Sequence, residues 1–255
     1  MRLTVIGNNG IVPRPGGASS SYLVEQEGTR VLLDCGTGAW AHLQRIVQPF
    51  ALDAIFISHI HPDHFFDLVP FRYALRYTLA GTPPPVPLWV PPGARRQLDD
   101  LALSFGGQAG FFDGLFAVRE FDPADVVSVG SLTLTFQAMR HYVPSFGLRV
   151  GGDAQFAYSA DTALCDEVVG LAAGADLFLC EATAQARTVE STKGGHMSAG
   201  MAGEVAAKAG VPRLLLTHIW YELDPQVSLA EARATYGGNL ALAEEGRTYE
   251  IRPAG

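Results

Sequence analysis

The segment SHIHPDHFFD (residues 58–67) places three of the chain's seven histidines within six residues, directly after the apolar run 54–57. An ionisable group taken out of water without a partner is costly, so a strand that ends in this segment needs something for it to bind. The spacing suggests what. His59 and His61 are two apart at a strand end, so in extended backbone both imidazoles point to one side and can share a metal ion. Pro62 then turns the chain into a helix start, from which Asp63 and His64 project towards a second ion nearby. The segment alone completes neither coordination shell, so the fold must bring distant ligands to this strand end.

Three candidates follow other strand-like runs: His141 after 132–136, Asp161 in SADT after 155–159, and His218 in LLLTH after 214–216. Asp161 suits a bridging role because a carboxylate has two oxygens to divide between two cations. The expected sets are His59, His61, His141 and Asp161 for one metal, and Asp63, His64, Asp161 and His218 for the other. Nitrogen and carboxylate ligands without thiolates suit zinc, manganese or iron, and two such ions roughly 3.5–4 Å apart form a hydrolytic site. Cys35, Cys165 and Cys180 never fall at CxxC spacing, so neither a disulfide framework nor a thiolate zinc site is expected.

Short β-branched runs recur at 3–6, 22–24, 31–33, 54–57, 88–90, 132–136, 155–159, 177–179 and 214–216, and helical periodicity at 39–47, 65–79, 94–105, 163–172 and 198–209. This alternation predicts an α/β fold of sheets covered by helices, in one compact domain over 1–255. Residues 8–21 and 81–87, rich in Gly and Pro, read as irregular loops. A net charge of −8 argues against a protein built around a nucleic-acid backbone. No leader-like N-terminus and no apolar stretch of about 18 residues is present, which predicts a cytoplasmic protein without a membrane partner.

HIHPDH resembles the HxHxDH signature of the metallo-β-lactamase fold superfamily, and the stations at His141, Asp161 and His218 match too. The resemblance covers essentially the whole chain. It implies a four-layer αββα sandwich, two mixed β-sheets flanked by helices, with the metal site along one edge. A narrower resemblance is to the ribonuclease Z and cyclic phosphodiesterase branch, through CEATAQ (180–185), through the stretch from GGHMSAG to LLLTH, and through the loop carrying Pro13-Arg14-Pro15 and Ser19-Ser20-Ser21. Carried over, Glu181 and His196 form a pair in which His196 protonates the leaving alkoxide, while Asp63 binds a metal and orients the nucleophile. Asp34, in LLDCGTG, would hydrogen-bond beneath the metal loop.

The resemblance thus implies a dinuclear zinc phosphodiesterase, with Mn²⁺ or Fe²⁺ as other occupants. One departure bears on its substrate. Bacterial ribonuclease Z enzymes usually carry a long tRNA-grasping arm between the third histidine and the bridging aspartate, and the gap here is too short for one. A small or cyclic phosphodiester is therefore expected, and RNA is disfavoured. The alternatives are a tRNA 3' processing endoribonuclease, a lactonase or β-lactamase-type hydrolase, and a non-catalytic scaffold, which would be expected to have lost ligands that are all present. Relatives of this kind are often dimers, so a homodimer is one assembly to look for. Cys35 and Cys180 read as packing residues and Arg14 as a solvated loop residue, with a phosphate contact as its alternative. Phe65, Phe66, Phe71, Tyr73 and Tyr77 read as mostly core, with Tyr73 or Tyr77 a candidate for the cleft.

Overall fold

The computed structural model describes residues 1–79, 81 and 83–254. Its first half carries β1 (Arg2–Gly7), β2 (Asn9–Gly10), β3 (Ser21–Gln26), β4 (Thr29–Leu33), β5 (Ala54–Phe56), β6 (Val86–Val90) and β7 (Phe116–Glu120). Interleaved with them are helices α1 (Ala39–Leu43), α2 (Pro62–Phe65), α3 (Leu68–Tyr77) and α4 (Ala94–Ser104). The second half adds β8 (Val127–Val129), β9 (Leu132–Met139), β10 (Ser145–Gly151), β11 (Gln155–Tyr158), β12 (Leu177–Glu181), β13 (Arg213–Thr217), β14 (Ile219–Trp220), β15 (Asn239–Leu242) and β16 (Thr248–Glu250). Its helices are α5 (Asp166–Ala172), α6 (Ala199–Ala209) and α7 (Pro225–Thr235).

Two seven-stranded mixed sheets result, ordered β16-β1-β3-β4-β5-β6-β7 and β15-β13-β12-β11-β10-β9-β8. In each, an antiparallel part built from short connections leads into a parallel part whose crossovers carry helices. The parallel strands are covered on both faces, which is why β5, β12 and most of β13 are apolar runs rather than alternating ones. Leu3, Tyr22 and Phe56 of one inner face pack with Leu134, Phe156 and Leu177 of the other. The outer faces bury Ile55 and Leu88 against Phe71 and Leu98 of α3 and α4, and Phe178 and Leu214 against Val168 and Val205 of α5 and α6. This is the αββα sandwich expected from the sequence.

Several elements depart from the expected pattern. The helix expected over 65–79 is split: α2 ends at Phe65 and α3 begins at Leu68. The helix expected over 163–172 starts only at Asp166. Strands β7, β8, β10, β15 and β16 and helix α7 were not expected. Gly147 interrupts the apolar run of β10, β8 and β16 are three residues each, and α7 buries only Ser228 and Ala232, too little to print a helical stripe. The loop 8–21 is not wholly irregular, since β2 pairs with β14. The loop at 81–87 ends at Val86, where β6 begins; its Thr82 lies outside the described residues.

The aromatic run also divides. Phe65 and Phe71 are core, whereas Phe66, Tyr73 and Tyr77 are exposed. Tyr73 stacks on Tyr77 and abuts Phe111 on the outside of α3, away from the histidines. All three cysteines are free and buried, Cys35 and Cys180 completely. Among the described residues, no helix is long and apolar enough to cross a membrane.

Candidate metal centre and proton-donor pair

The chemistry-bearing residues collect where parallel strands end. Asp34 follows β4, His59 and His61 follow β5, Asp161 follows β11, Glu181 closes β12 and His218 follows β13. His141 arrives from the turn between β9 and β10. The crevice outside the carboxyl ends of parallel strands is where open α/β sheets bind ligands, because the strands stop and the loops splay apart there. Here the loops are strained: Asp34 (φ 59°), Ala160 (φ 50°) and His218 (φ 57°) hold left-handed backbone that a residue with a Cβ adopts at a cost of about 1–2 kcal/mol. Neighbouring backbone fixes them, with Asp34 N–H donating to Phe56 O at 2.8 Å and His218 N–H to Asn8 O at 2.8 Å. Gly36 allows the tightest approach, since a Cβ there would lie 1.9 Å from the carbonyl oxygen of Asp63.

The seven candidate ligands converge in two groups that share Asp161. In the first, His61 Nδ1 lies 3.2 Å from His59 Nε2 and 3.1 Å from His141 Nε2. Asp161 Oδ2 lies 3.6 Å from His59 Nε2 and 3.8 Å from His141 Nε2. In the second, His218 Nε2 lies 3.2 Å from His64 Nε2 and 3.1 Å from Asp63 Oδ2. Asp161 Oδ1 lies 3.3 and 3.4 Å from the same two imidazoles. Ligands at about 2.0–2.1 Å around a tetrahedral ion stand roughly 3.3 Å apart, so these spacings suit a divalent cation in each group.

Proton accounting supports the fit. Ser58 N–H, Ser58 Oγ–H and Tyr158 Oη–H all donate to Asp34, at 2.7, 2.9 and 2.8 Å, and His64 Nδ1 sits 2.8 Å from the same carboxylate. Because Ser58 gives its proton to Asp34, it can only accept from His59 Nδ1–H, 3.0 Å away. His141 Nδ1–H donates to Gly195 O at 2.7 Å. Thr183 Oγ1–H donates to the Glu181 carboxylate at 2.6 Å and so accepts from His218 Nδ1–H at 2.8 Å. Four imidazoles thus commit their outer nitrogen as a donor and turn Nε2 towards the centre, as metal-ligating histidines do. Asp161 Oδ1 is buried and accepts no hydrogen bond of normal geometry among the described residues. A cation answers all of these groups at once.

The local charges agree. Burial pushes His59 well below its ordinary pKa, which keeps the imidazole neutral and its lone pair available. Burial disfavours charge on His64 too, but Asp161, Asp63 and Asp34 outweigh it and raise its pKa, so a metal ion at its Nε2 would have to displace a proton. Burial alone would raise Asp63 and Asp161; the surrounding histidines hold both below the usual carboxylate range. Asp63 Oδ2 also accepts from Ile11 N–H at 2.8 Å.

Glu181 and His196 meet against this cluster, with His196 Nδ1 3.0 Å from Glu181 Oε1 and 3.9 Å from Asp161 Oδ2. Glu181 is fully buried, and it accepts from Thr162 N–H at 2.8 Å as well as from Thr183. Burial works against a charged His196, but Glu181 more than offsets it and lifts the imidazole pKa to about 9.

A model of the beta-lactamase superfamily domain matches residues 29–219. The chain belongs to this superfamily. Along its whole length it is 35% identical to Rv1339 of Mycobacterium tuberculosis, covering 94% of that protein. It is 28% identical to the probable metallo-hydrolase YhfI of Bacillus subtilis, over 98% of this chain and 100% of the relative. The crystal structure of YhfI, a metallo-beta-lactamase fold protein, superposes with a TM-score of 0.88 over 98% of this chain and 99% of that one. A ribonuclease Z of Haloferax volcanii is 28% identical over 98% of this chain and 95% of its own. The protein is a hydrolase of this metallo-hydrolase superfamily.

Arg14 is neither free in solvent nor aimed at the cluster: its guanidinium donates to the carbonyls of Tyr221 and Leu223, at 3.1 and 2.8 Å, tying the early loop to the β14–α7 connection. His42, outside the expected site, pairs with Ile6 O. Three participants were not singled out in the sequence. Ser58 and Tyr158 support Asp34, and Thr183 joins His218 to Glu181. Thr183 had a signal, two residues after Glu181 in CEATAQ; Tyr158 stands directly before the SADT turn that carries Asp161, but its hydrogen bond to Asp34 had no signal.

Proposed function

We propose that this protein is a two-metal phosphodiesterase acting on a small or cyclic phosphodiester. The observation that carries the reading is the buried Glu181–His196 pair: a histidine whose pKa is raised to about 9 holds its proton at neutral pH, 3.9 Å from the carboxylate shared by the two ligand groups. Expulsion of an alkoxide from phosphorus is a step that such a donor assists.

His59, His61, His141 and Asp161 would hold one ion, and Asp63, His64, Asp161 and His218 the other, with zinc the expected metal and Mn²⁺ or Fe²⁺ compatible with the same donors. When bound, such a pair supplies Lewis acidity to the phosphoryl oxygens and lowers the pKa of water towards neutrality. The protein's own groups do the rest. Asp63, fixed by Ile11 N–H, orients the attacking water, and His196, held by Glu181, delivers its proton to the departing oxygen. Since Nδ1 is engaged by Glu181, Nε2 is the nitrogen that faces the leaving group.

Substrate size is read from the segment between His141 and Asp161. It is used up by β10 and β11, a hairpin inside the second sheet, which leaves no chain for an arm that could grasp tRNA. The test is turnover of an aryl phosphodiester, a cyclic nucleotide and a precursor tRNA by protein of measured metal content. We expect the small diesters to be cleaved, the activity to vanish with chelator and return with metal. Diester turnover unaffected by chelation would refute the mechanism, and preferred cleavage of the precursor tRNA would replace the substrate assignment.

A further inference from the structure

Beside His196 lies a cavity of about 360 Å³, large enough for a small-molecule group. Ile11, Tyr142, Trp220 and Leu223 form its apolar walls, and His196 and Thr183 open it to the metal centre. The Tyr142 hydroxyl donates to Thr192 O, which pins the ring at the mouth, 5.7 Å from the His196 ring. A group that leaves with a proton from His196 is therefore released into this space.

The polar rim has a direction. Thr188 Oγ1–H donates to Gln185 O at 3.1 Å, Ser191 Oγ–H to Thr188 O at 2.6 Å, and Thr192 Oγ1–H to Val189 O at 2.7 Å. A hydroxyl has one proton, so towards the cavity all three can only accept. Glu222 adds a carboxylate, held by Trp220 Nε1–H at 3.2 Å and Tyr221 Oη–H at 2.9 Å. Among the described residues, no lysine or arginine lines the cavity; Lys193 follows Thr192 in the chain but is not part of the wall. Apart from His196, whose proton goes to the departing oxygen, the wall therefore offers flat apolar surface and acceptors, and no second cationic side chain to neutralise a further anion.

We propose that this cavity is the leaving-group subsite and that Glu222 sets its charge preference: it takes an aromatic group that offers hydrogen-bond donors and is neutral or cationic, and it rejects one that carries a further phosphate or other anion. This rests on the phosphodiesterase reading for its place in the reaction, though the charge preference of the cavity can be measured without turnover. Flat groups stack on Trp220 and Tyr142, a cation gains from the Trp220 face and from Glu222, and an anion meets the carboxylate.

Trp220 provides the probe. Tryptophan fluorescence of the metal-loaded protein is titrated at low ionic strength with benzyltrimethylammonium, benzyl alcohol, benzyl methyl ether and benzenesulfonate, with Trp220→Phe to identify the reporting residue. The cation is expected to bind at least about fivefold more tightly than the sulfonate. Benzyl alcohol is expected to bind more tightly than the ether, which lacks its donor. Glu222→Lys is expected to reverse the order of cation and sulfonate. Equal affinity for the two in the native protein, an order unchanged in Glu222→Lys, or quenching that survives in Trp220→Phe would each overturn the proposal. In parallel, turnover of methyl phenyl phosphate diester is followed. Its absence would count against the phosphodiesterase reading alone, while the titrations still decide what the cavity accepts.

Discussion

Thr183 has a single hydroxyl proton and stands among three groups that compete for it. Glu181 takes it, which obliges His218 to donate and so sets the nitrogen that His218 turns towards the ligand cluster. Thr183→Ala is expected to weaken metal binding about 10–100-fold, as loss of a ligand's outer partner commonly does, and Thr183→Ser to restore it. Metal titration of the three proteins is the measurement, and equal affinities would show that the hydroxyl does not orient the ligand. His196 should behave differently. His196→Ala is expected to lower kcat by about 10²–10⁴ with metal content unchanged; loss of metal instead would make His196 a ligand. As a proton donor it must be protonated to act, so the rate should fall as pH rises through about 9, and this alkaline limb should be missing from the residual activity of His196→Gln.

At the scale of elements, the site depends on loops that pack backbone against backbone at strand ends. Adding a methyl at Gly36 would drive it into the Asp63 carbonyl, so Gly36→Ala is expected to destabilise the protein by about 1–3 kcal/mol and to reduce its metal content. Gly170 makes the opposite case. It sits within α5, exposed, with open space around its Cα, so Gly170→Ala is expected to stabilise by about 0.5–1 kcal/mol through helix propensity and a less flexible unfolded chain. Denaturant midpoints decide both, and similar effects from the two substitutions would contradict the assigned environments. The same contrast explains which elements were legible. Doubly covered strands such as β5, β12 and β13 announce themselves as apolar runs. Edge strands β8 and β16 bury little on either face, and α7, packed mainly on α6, buries only Ser228 and Ala232, so none of them carries a pattern to read.

For the whole molecule, metal binding and folding are linked, because the ligands come from both sheets and converge only in the native state. A ligand at a hundred times its Kd stabilises the native state by about 2.7 kcal/mol per site. Chelation is therefore expected to lower Tm by several degrees, reversibly on adding zinc; an unchanged Tm would mean that the cluster does not bind metal under those conditions. Much of this was already determined by the sequence alone. Three histidines and an aspartate between an apolar strand and a helix start, with single candidate ligands after three later strands, point to a metal site at a sheet edge, because strand ends are where such groups leave the core together. The motif resemblance added the Glu181–His196 pair. The sequence could not decide what depends on packing between remote segments: that Asp161 turns one oxygen to each ligand group, that Thr183 and Asp34 fix the imidazole tautomers, and that Arg14 is engaged by two carbonyls. Nor could it show that the hydroxyls beside His196 face the cavity only as acceptors. Each of these turns on where a single proton or lone pair points, and that is set by distances of a few tenths of an ångström across a tertiary contact.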